Sequence, residues 1–217
     1  LQLVLFNNEI YGLTKGQYSP TSRRGTRSPS TPLGSVENPV SACQVALGAG
    51  ARFVARSVDT LMPHLVGVLE RAHEHRGASF VEVFQNCVVF NDGVFDNFTA
   101  KEIAPEAQLH LEHGKPLVFG KNREKGLRLK RDKLELEVVD VGENGVGTEG
   151  VLVHDERNRA LAQLLTGLEP PAFPVALGVL YCDPAAEVHA QARAAGLGSA
   201  PASLDGLLRS GQTWTVS

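Results

Sequence analysis

Methionine is nearly absent from this sequence: Met62 is the single one among 217 residues, and the chain opens on Leu1. That opening predicts the later part of a longer protein. The three cysteines, Cys43, Cys87 and Cys182, are odd in number and widely spaced, which argues against a disulfide framework. No apolar run approaches the ~18 residues that a bilayer span needs, and no basic, apolar, small-residue signal pattern opens the chain. The expected compartment is therefore the cytoplasm, with no membrane partner. Neither sign of charge predominates: 21 Lys and Arg stand against 24 Asp and Glu, a net charge of −3. General nucleic-acid binding is thereby disfavoured, because it draws on many clustered cations. No Gly-x-Ser-x-Gly elbow, Walker-type phosphate loop or Ser/His/Asp set is present.

What remains is an ordinary globular composition, 42% hydrophobic and 21% charged with 22 glycines. The opening LQLVLF is a short continuous apolar run that the polar Asn7, Asn8 and Glu9 end at once, as at the carboxyl end of a buried parallel strand. Ligands of open α/β sheets bind at such ends. Residues 14–38 are rich in Gly, Ser, Thr and Pro and hold Lys15, Arg23, Arg24 and Arg27 with no acid before Glu37. They predict a long loop with at most a helical turn.

Alternation then resumes. A small-residue helix is expected from Asn38-Pro39 to about Ala49, a strand from Arg52 to Val58, an amphipathic helix from Thr60 to Arg76 and a strand from Ser79 to Gln85. Strand, helix, strand, helix, strand is the parallel α/β pattern. It places Asn7 and Cys87 alike, just past the ends of strands. Beyond Asn91 the pattern changes. Phe95–His113 reads as partly helical, Leu117–Phe119 as a short strand, and Leu127–Val141 as half-buried strand. A helix near Arg157–Leu165, a strand Val175–Tyr181, helices Ala185–Ala195 and Leu204–Leu208, and the closing Gln212–Val216 complete an α+β second half.

Several residues carry chemistry. Asn7-Asn8-Glu9-Ile10 offers hard oxygen donors of the kind Mg²⁺ takes, although asparagine at a strand end is more often simply a turn residue. His73-x-His75 and His110-x-x-His113 have metal-like spacing but no third ligand nearby, and both are expected on solvated, charged helices. Cys43 and Cys182 read as packing residues. The basic stretch from Lys15 to Arg27 could attract phosphate groups or an acidic protein, or be a solvated loop.

The run from Phe6 to Thr21, FNNEIYGLTKGQYSPT, resembles over its whole length the cofactor loop of 2-oxoacid:ferredoxin oxidoreductase β subunits, and is most similar to the 2-oxoglutarate branch. Further blocks agree: Ala46–Ser57, Ser79–Gly93 with its cysteine, Leu111–Gly120, Leu152–Glu156 and Ser210–Val216. The resemblance implies an α/β, parallel-sheet thiamin-diphosphate-binding fold. Residues 1–93 would form the C-terminal half of that domain, and residues 94–217 an α+β C-terminal extension particular to the β subunit.

By the same resemblance, Mg²⁺ anchors thiamin diphosphate through the Asn8 side chain and the Ile10 carbonyl, with an aspartate of an upstream Gly-Asp-Gly motif that this sequence lacks. Leu13, Thr14 and Lys15 would line the 2-oxoacid pocket, Lys15 pairing with a second carboxylate of the substrate. Cys87 would supply one thiolate to a [4Fe–4S] cluster. The implied partners are an α subunit, ferredoxin, 2-oxoglutarate and coenzyme A. The implied activity is oxidation of 2-oxoglutarate to succinyl-CoA and CO₂. Two alternatives stay open: a pyruvate or broad-specificity relative, and a non-catalytic piece that only binds the α subunit.

Overall fold

The computed structural model describes residues 1–143, 145–183 and 203–209. The chain divides into two compact units, 1–184 and 185–217. Of the second unit only residues 203–209 are described, among them the helix Leu204–Arg209. The expected helix Ala185–Ala195 and the closing Ser210–Val216 block lie outside the described residues.

Three strands open the main sheet of the first unit: β1 (Gln2–Asn7), β4 (Phe53–Val58) and β5 (Ser79–Phe84). They run parallel in the order β1-β5-β4, and β4 and β5 pair in register from Phe53 opposite Ser79 to Val58 opposite Phe84. The intervening helices α1 (Ala42–Gly48) and α2 (Met62–Glu74) make the crossovers that parallel pairing requires. Ser41 caps α1, its side chain accepting from the Gln44 amide, and Pro63 sits in the first turn of α2, where a missing N–H costs nothing.

Strand period 2 divides the side chains between the two faces. Phe53, Ala55, Val81 and Val83 pack against Val68 and Ala72 of α2. Val54 belongs to the larger cluster with Cys43 and Leu47 of α1 and Leu161 and Leu165 of α5 (Arg159–Thr166). Helices thus cover both faces, and the fold is α/β with mostly parallel strands. Among the described residues no helix is long and apolar enough to cross a membrane.

Two later strands extend this sheet. β10 (Val175–Cys182) lies antiparallel beside β4, and β6 (Gln108–His110) lies parallel beside β10, giving the order β1-β5-β4-β10-β6. The sheet is therefore continuous across Gly93. The stretch expected to be partly helical holds two single turns, α3 (Asp96–Thr99) and α4 (Ala104–Ala107), followed by β6. A strand of three residues is too short to show a period in sequence. The alternating stretch after Gly120 forms a hairpin, β8 (Lys125–Leu129) against β9 (Leu136–Asp140), flanked by β7 (Val118–Phe119).

The first strand departs from expectation. β1 is parallel, but it lies at the edge of the sheet, with Leu3 52% and Phe6 62% exposed. A continuous apolar run codes for a strand covered on both faces, and only the β5 flank of β1 is paired among the described residues.

Candidate functional site

At the carboxyl ends of β1 and β5, two loops meet. The first continues β1 through Asn8 and Glu9 into a small hairpin of β2 (Ile10–Tyr11) and β3 (Gln17–Tyr18). Its turn closes through the Lys15 amide donating to the Gly12 carbonyl and the Gly16 amide to the Tyr11 carbonyl. The second loop leaves β5 at Gln85 and returns at Asn91, whose amide donates to the Cys87 carbonyl at 2.9 Å.

The loops touch at two glycines. A methyl at Gly12 would lie 3.6 Å from Cys87 Sγ, and one at Gly16, where φ is +97°, would lie 3.0 Å from the Phe90 ring. Only glycine accommodates both the left-handed backbone and the ring at position 16. Leu13, Thr14 and Lys15 form the tip of this hairpin: Leu13 is 99% exposed, Lys15 has φ +72°, and Thr14 Oγ1 donates to Gln17 Oε1. The residues singled out from sequence, Asn8, Ile10, Leu13, Thr14, Lys15 and Cys87, therefore all lie on two adjoining loops.

Beneath the loops lies a buried polar network. Leu5, Glu82 and Arg56 are direct cross-strand partners on β1, β5 and β4. Glu82 accepts from Arg56 Nε at 2.8 Å, from Asn7 Nδ2 at 2.8 Å and from the Cys43 thiol at 3.3 Å. Cys43 is fully buried, and burial pushes its thiol well above the ordinary thiol range, so it acts as a neutral donor. Asn7 Oδ1 in turn accepts from the Glu9 amide and from Thr21 Oγ1, and the Glu9 carbonyl accepts from Ser22 Oγ. The network ties the first loop to the sheet.

Sequence reading missed Arg56 and Glu82. The available signal was a charge placed inside each of two otherwise apolar strands, FVARSV and SFVEVF. Burying unlike charges on adjacent strands is tolerable only if they meet.

Glu9, with φ +53°, forms a 3.1 Å ion pair with Arg23. Burial, opposed by Arg23, pushes its carboxyl up to about 7. Asn7, Glu9, Arg23, Arg56 and Glu82 line a cleft of about 500 Å³ together with Phe95, Phe98 and residues 166–170.

His73 is exposed on α2 as expected, and the second histidine pair departs from expectation. His110 lies on β6 rather than on a helix, and its ring stands edge-on to His64 with centroids 5.3 Å apart. His75 ends α2 with its ring 5.4 Å from that of Phe53 and Nδ1 3.9 Å from Cys182 Sγ. Among the described residues no group of three or more His, Cys, Asp or Glu side chains could hold a metal ion. Asn8 Oδ1 and the Ile10 carbonyl are two neutral oxygens on one turn. They fit a hard cation that completes its shell with phosphate and water, and would supply only part of that shell. Cys87 is half-buried and offers one thiolate, so it fits a four-cysteine cluster only as one ligand among others.

Residues 1–83 match the family described as thiamine pyrophosphate enzyme, C-terminal TPP binding domain. The 2-oxoglutarate oxidoreductase subunit KorB of Mycobacterium tuberculosis is 41% identical over 99% of this chain and 58% of its own length. The 2-oxoglutarate synthase subunit KorB of Methanocaldococcus jannaschii is 37% identical over 42% of this chain and 33% of its own. A solved 2-oxoglutarate:ferredoxin oxidoreductase from Magnetococcus marinus, with 2-oxoglutarate, coenzyme A and succinyl-CoA bound, shares the fold. Its TM-score is 0.62 at 23% identity, over 98% of this chain and 58% of that one. The chain thus spans little more than half the length of the relatives that it matches throughout. Together these likenesses show that the chain belongs to the β-subunit family of thiamin-diphosphate-dependent 2-oxoacid:ferredoxin oxidoreductases.

Proposed function

We propose that this chain is part of the β subunit of an enzyme that oxidatively decarboxylates 2-oxoglutarate with coenzyme A, giving succinyl-CoA and CO₂. The two electrons released pass singly to ferredoxin. In this reading residues 1–93 belong to the thiamin-diphosphate-binding domain and residues 94–217 to the C-terminal extension. The enzyme is completed by an α subunit, in the cytoplasm.

The observation that carries the reading is the meeting of the two loops. Cys87 Sγ sits against Gly12, two residues beyond Ile10, so a thiolate suited to an iron–sulfur cluster and oxygens suited to Mg²⁺ are neighbours. Electrons leaving the reacting carbon would have a short path to the cluster.

When bound, thiamin diphosphate supplies the carbanion chemistry that releases CO₂ from a 2-oxoacid, and the protein contributes binding, orientation and electrostatics. Asn8 Oδ1 and the Ile10 carbonyl would hold Mg²⁺ on the diphosphate. Glu82 and Asn7 keep the loop carrying these oxygens fixed to the sheet. Leu13, Thr14 and Lys15, raised on the exposed hairpin tip, would meet the substrate, Lys15 pairing with its distal carboxylate.

Turnover by the full-length, assembled enzyme tests the reading. With coenzyme A and ferredoxin or a viologen acceptor, 2-oxoglutarate should be preferred over pyruvate. A preference for pyruvate would replace the substrate, and no turnover of either would refute the activity.

A further inference from the structure

The asparagine side chain has two ends of nearly equal shape and opposite chemistry. Its oxygen can bind a cation, and its NH₂ cannot. Which end faces a cation is decided by what the other end bonds. Here Asn8 Nδ2 donates to Gln85 Oε1 at 3.3 Å. The main-chain carbonyl of Asn8 accepts from Asn91 Nδ2 at 2.9 Å, and the Gln85 amide donates to the Asn7 carbonyl at 2.9 Å. The second loop therefore grips the first at three points around residue 8. All three side chains are half-buried, which limits competition from water.

From this geometry we infer that Gln85 and Asn91 are positioning residues for a divalent cation at Asn8. Gln85 occupies the NH₂ end, so that Oδ1, which accepts from the Ile10 main-chain amide at 3.3 Å, keeps its second lone pair for the cation. Asn91 holds the main chain about which the side chain turns. The inference rests on Asn8 being a cation ligand, as proposed above. It adds that the loop presenting Cys87 also orients the cation's ligand, because Asn91 is bonded to the Cys87 carbonyl.

Partners that orient a metal ligand typically contribute ~10–100-fold in affinity. Mn²⁺, titrated into the assembled full-length enzyme at fixed thiamin diphosphate with free ion read by electron paramagnetic resonance, tests this without measuring activity. Gln85→Leu should weaken Mn²⁺ binding ~10–100-fold. Gln85→Glu, which still accepts from Asn8 Nδ2, should bind at least as tightly as the parent enzyme. Asn91→Ala should weaken binding by a smaller factor, and unchanged affinity there removes Asn91 from the inference.

Parent-like affinity in Gln85→Leu, with weakened binding in Asn8→Ala, overturns the inference and leaves the ligand assignment standing. Equal loss in Gln85→Leu and Gln85→Glu also overturns it, since Gln85 would then act only through loop folding. Unchanged affinity in Asn8→Ala removes the ligand assignment and the inference together.

Discussion

Arg56 Nε donates to Glu82 Oε2 across 2.8 Å between neighbouring parallel strands, with the two side chains only 6% and 3% exposed. A buried ion pair of this kind adds little to stability over an apolar pair, yet removing one partner strands a charge in the core. Arg56→Met should therefore cost about 3–5 kcal/mol. Arg56→Met with Glu82→Gln should recover most of it, because the amide oxygen still accepts from Asn7. Denaturant midpoints of the single and double variants check this. Equal losses in both would mean that the charge balance is not what matters.

Cys87 is the cysteine on the two adjoining loops, whereas Cys43 is buried on the inner face of α1 and Cys182 lies at the end of β10. In the full-length assembled enzyme, Cys87→Ala should lower bound iron and the visible absorption of the cluster. Cys43→Ala and Cys182→Ala should leave both unchanged. Iron analysis of the three variants decides the assignment, and full iron in Cys87→Ala would remove Cys87 as a ligand.

Lys15 stands at the hairpin tip beside the fully exposed Leu13. A lysine that reads a distal carboxylate matters only for a substrate that has one. Lys15→Ala should raise KM for 2-oxoglutarate at least tenfold, on the order of one lost charge-assisted contact, and leave KM for pyruvate nearly unchanged. Steady-state kinetics on both substrates provide the measurement. Equal changes would take specificity away from Lys15.

His64 has its Nδ1 2.8 Å from Ser57 Oγ. Burial, with a smaller contribution from His110, depresses its pKa from 6.5 to about 4. The unfolded chain then binds the proton more readily than the folded one between these values. The contribution of His64 to stability should therefore be constant above about pH 6.5 and fall as pH drops toward 4, while Glu9, raised to about 7, acts with the opposite sign. His64→Gln should remove that decline, and because Glu9 titrates alike in both proteins its effect cancels in the comparison. Urea midpoints followed from about pH 7 downward would show the difference between the two proteins, and identical slopes would exclude His64 as the source.

The α/β pattern was legible because its elements are local. The run Phe53–Val58 is apolar enough to be a strand, Leu65, Val68, Leu69 and Ala72 recur at helical spacing, and Gly16 marks a turn that only a positive φ can make. The motif from Phe6 to Thr21 likewise carried the family resemblance in contiguous residues alone.

Other features depend on partners distant in sequence. β6 has three residues and gains its place only by pairing with β10, more than sixty positions later. His110 lost its expected helix for the same reason.

The sequence by itself determined the strand and helix pattern of the first ninety residues, the family and the candidate residues, because each is written in contiguous chemistry. The tertiary structure decided that Glu82 meets Arg56, Asn7 and Cys43, and that Cys87 comes to rest against Gly12. Those contacts join residues up to 75 positions apart, and nothing local dictates them. Strand register places Asn7, Glu82 and Arg56 on one face of one sheet, and the packing of α1 and of the two loops on that sheet supplies the rest.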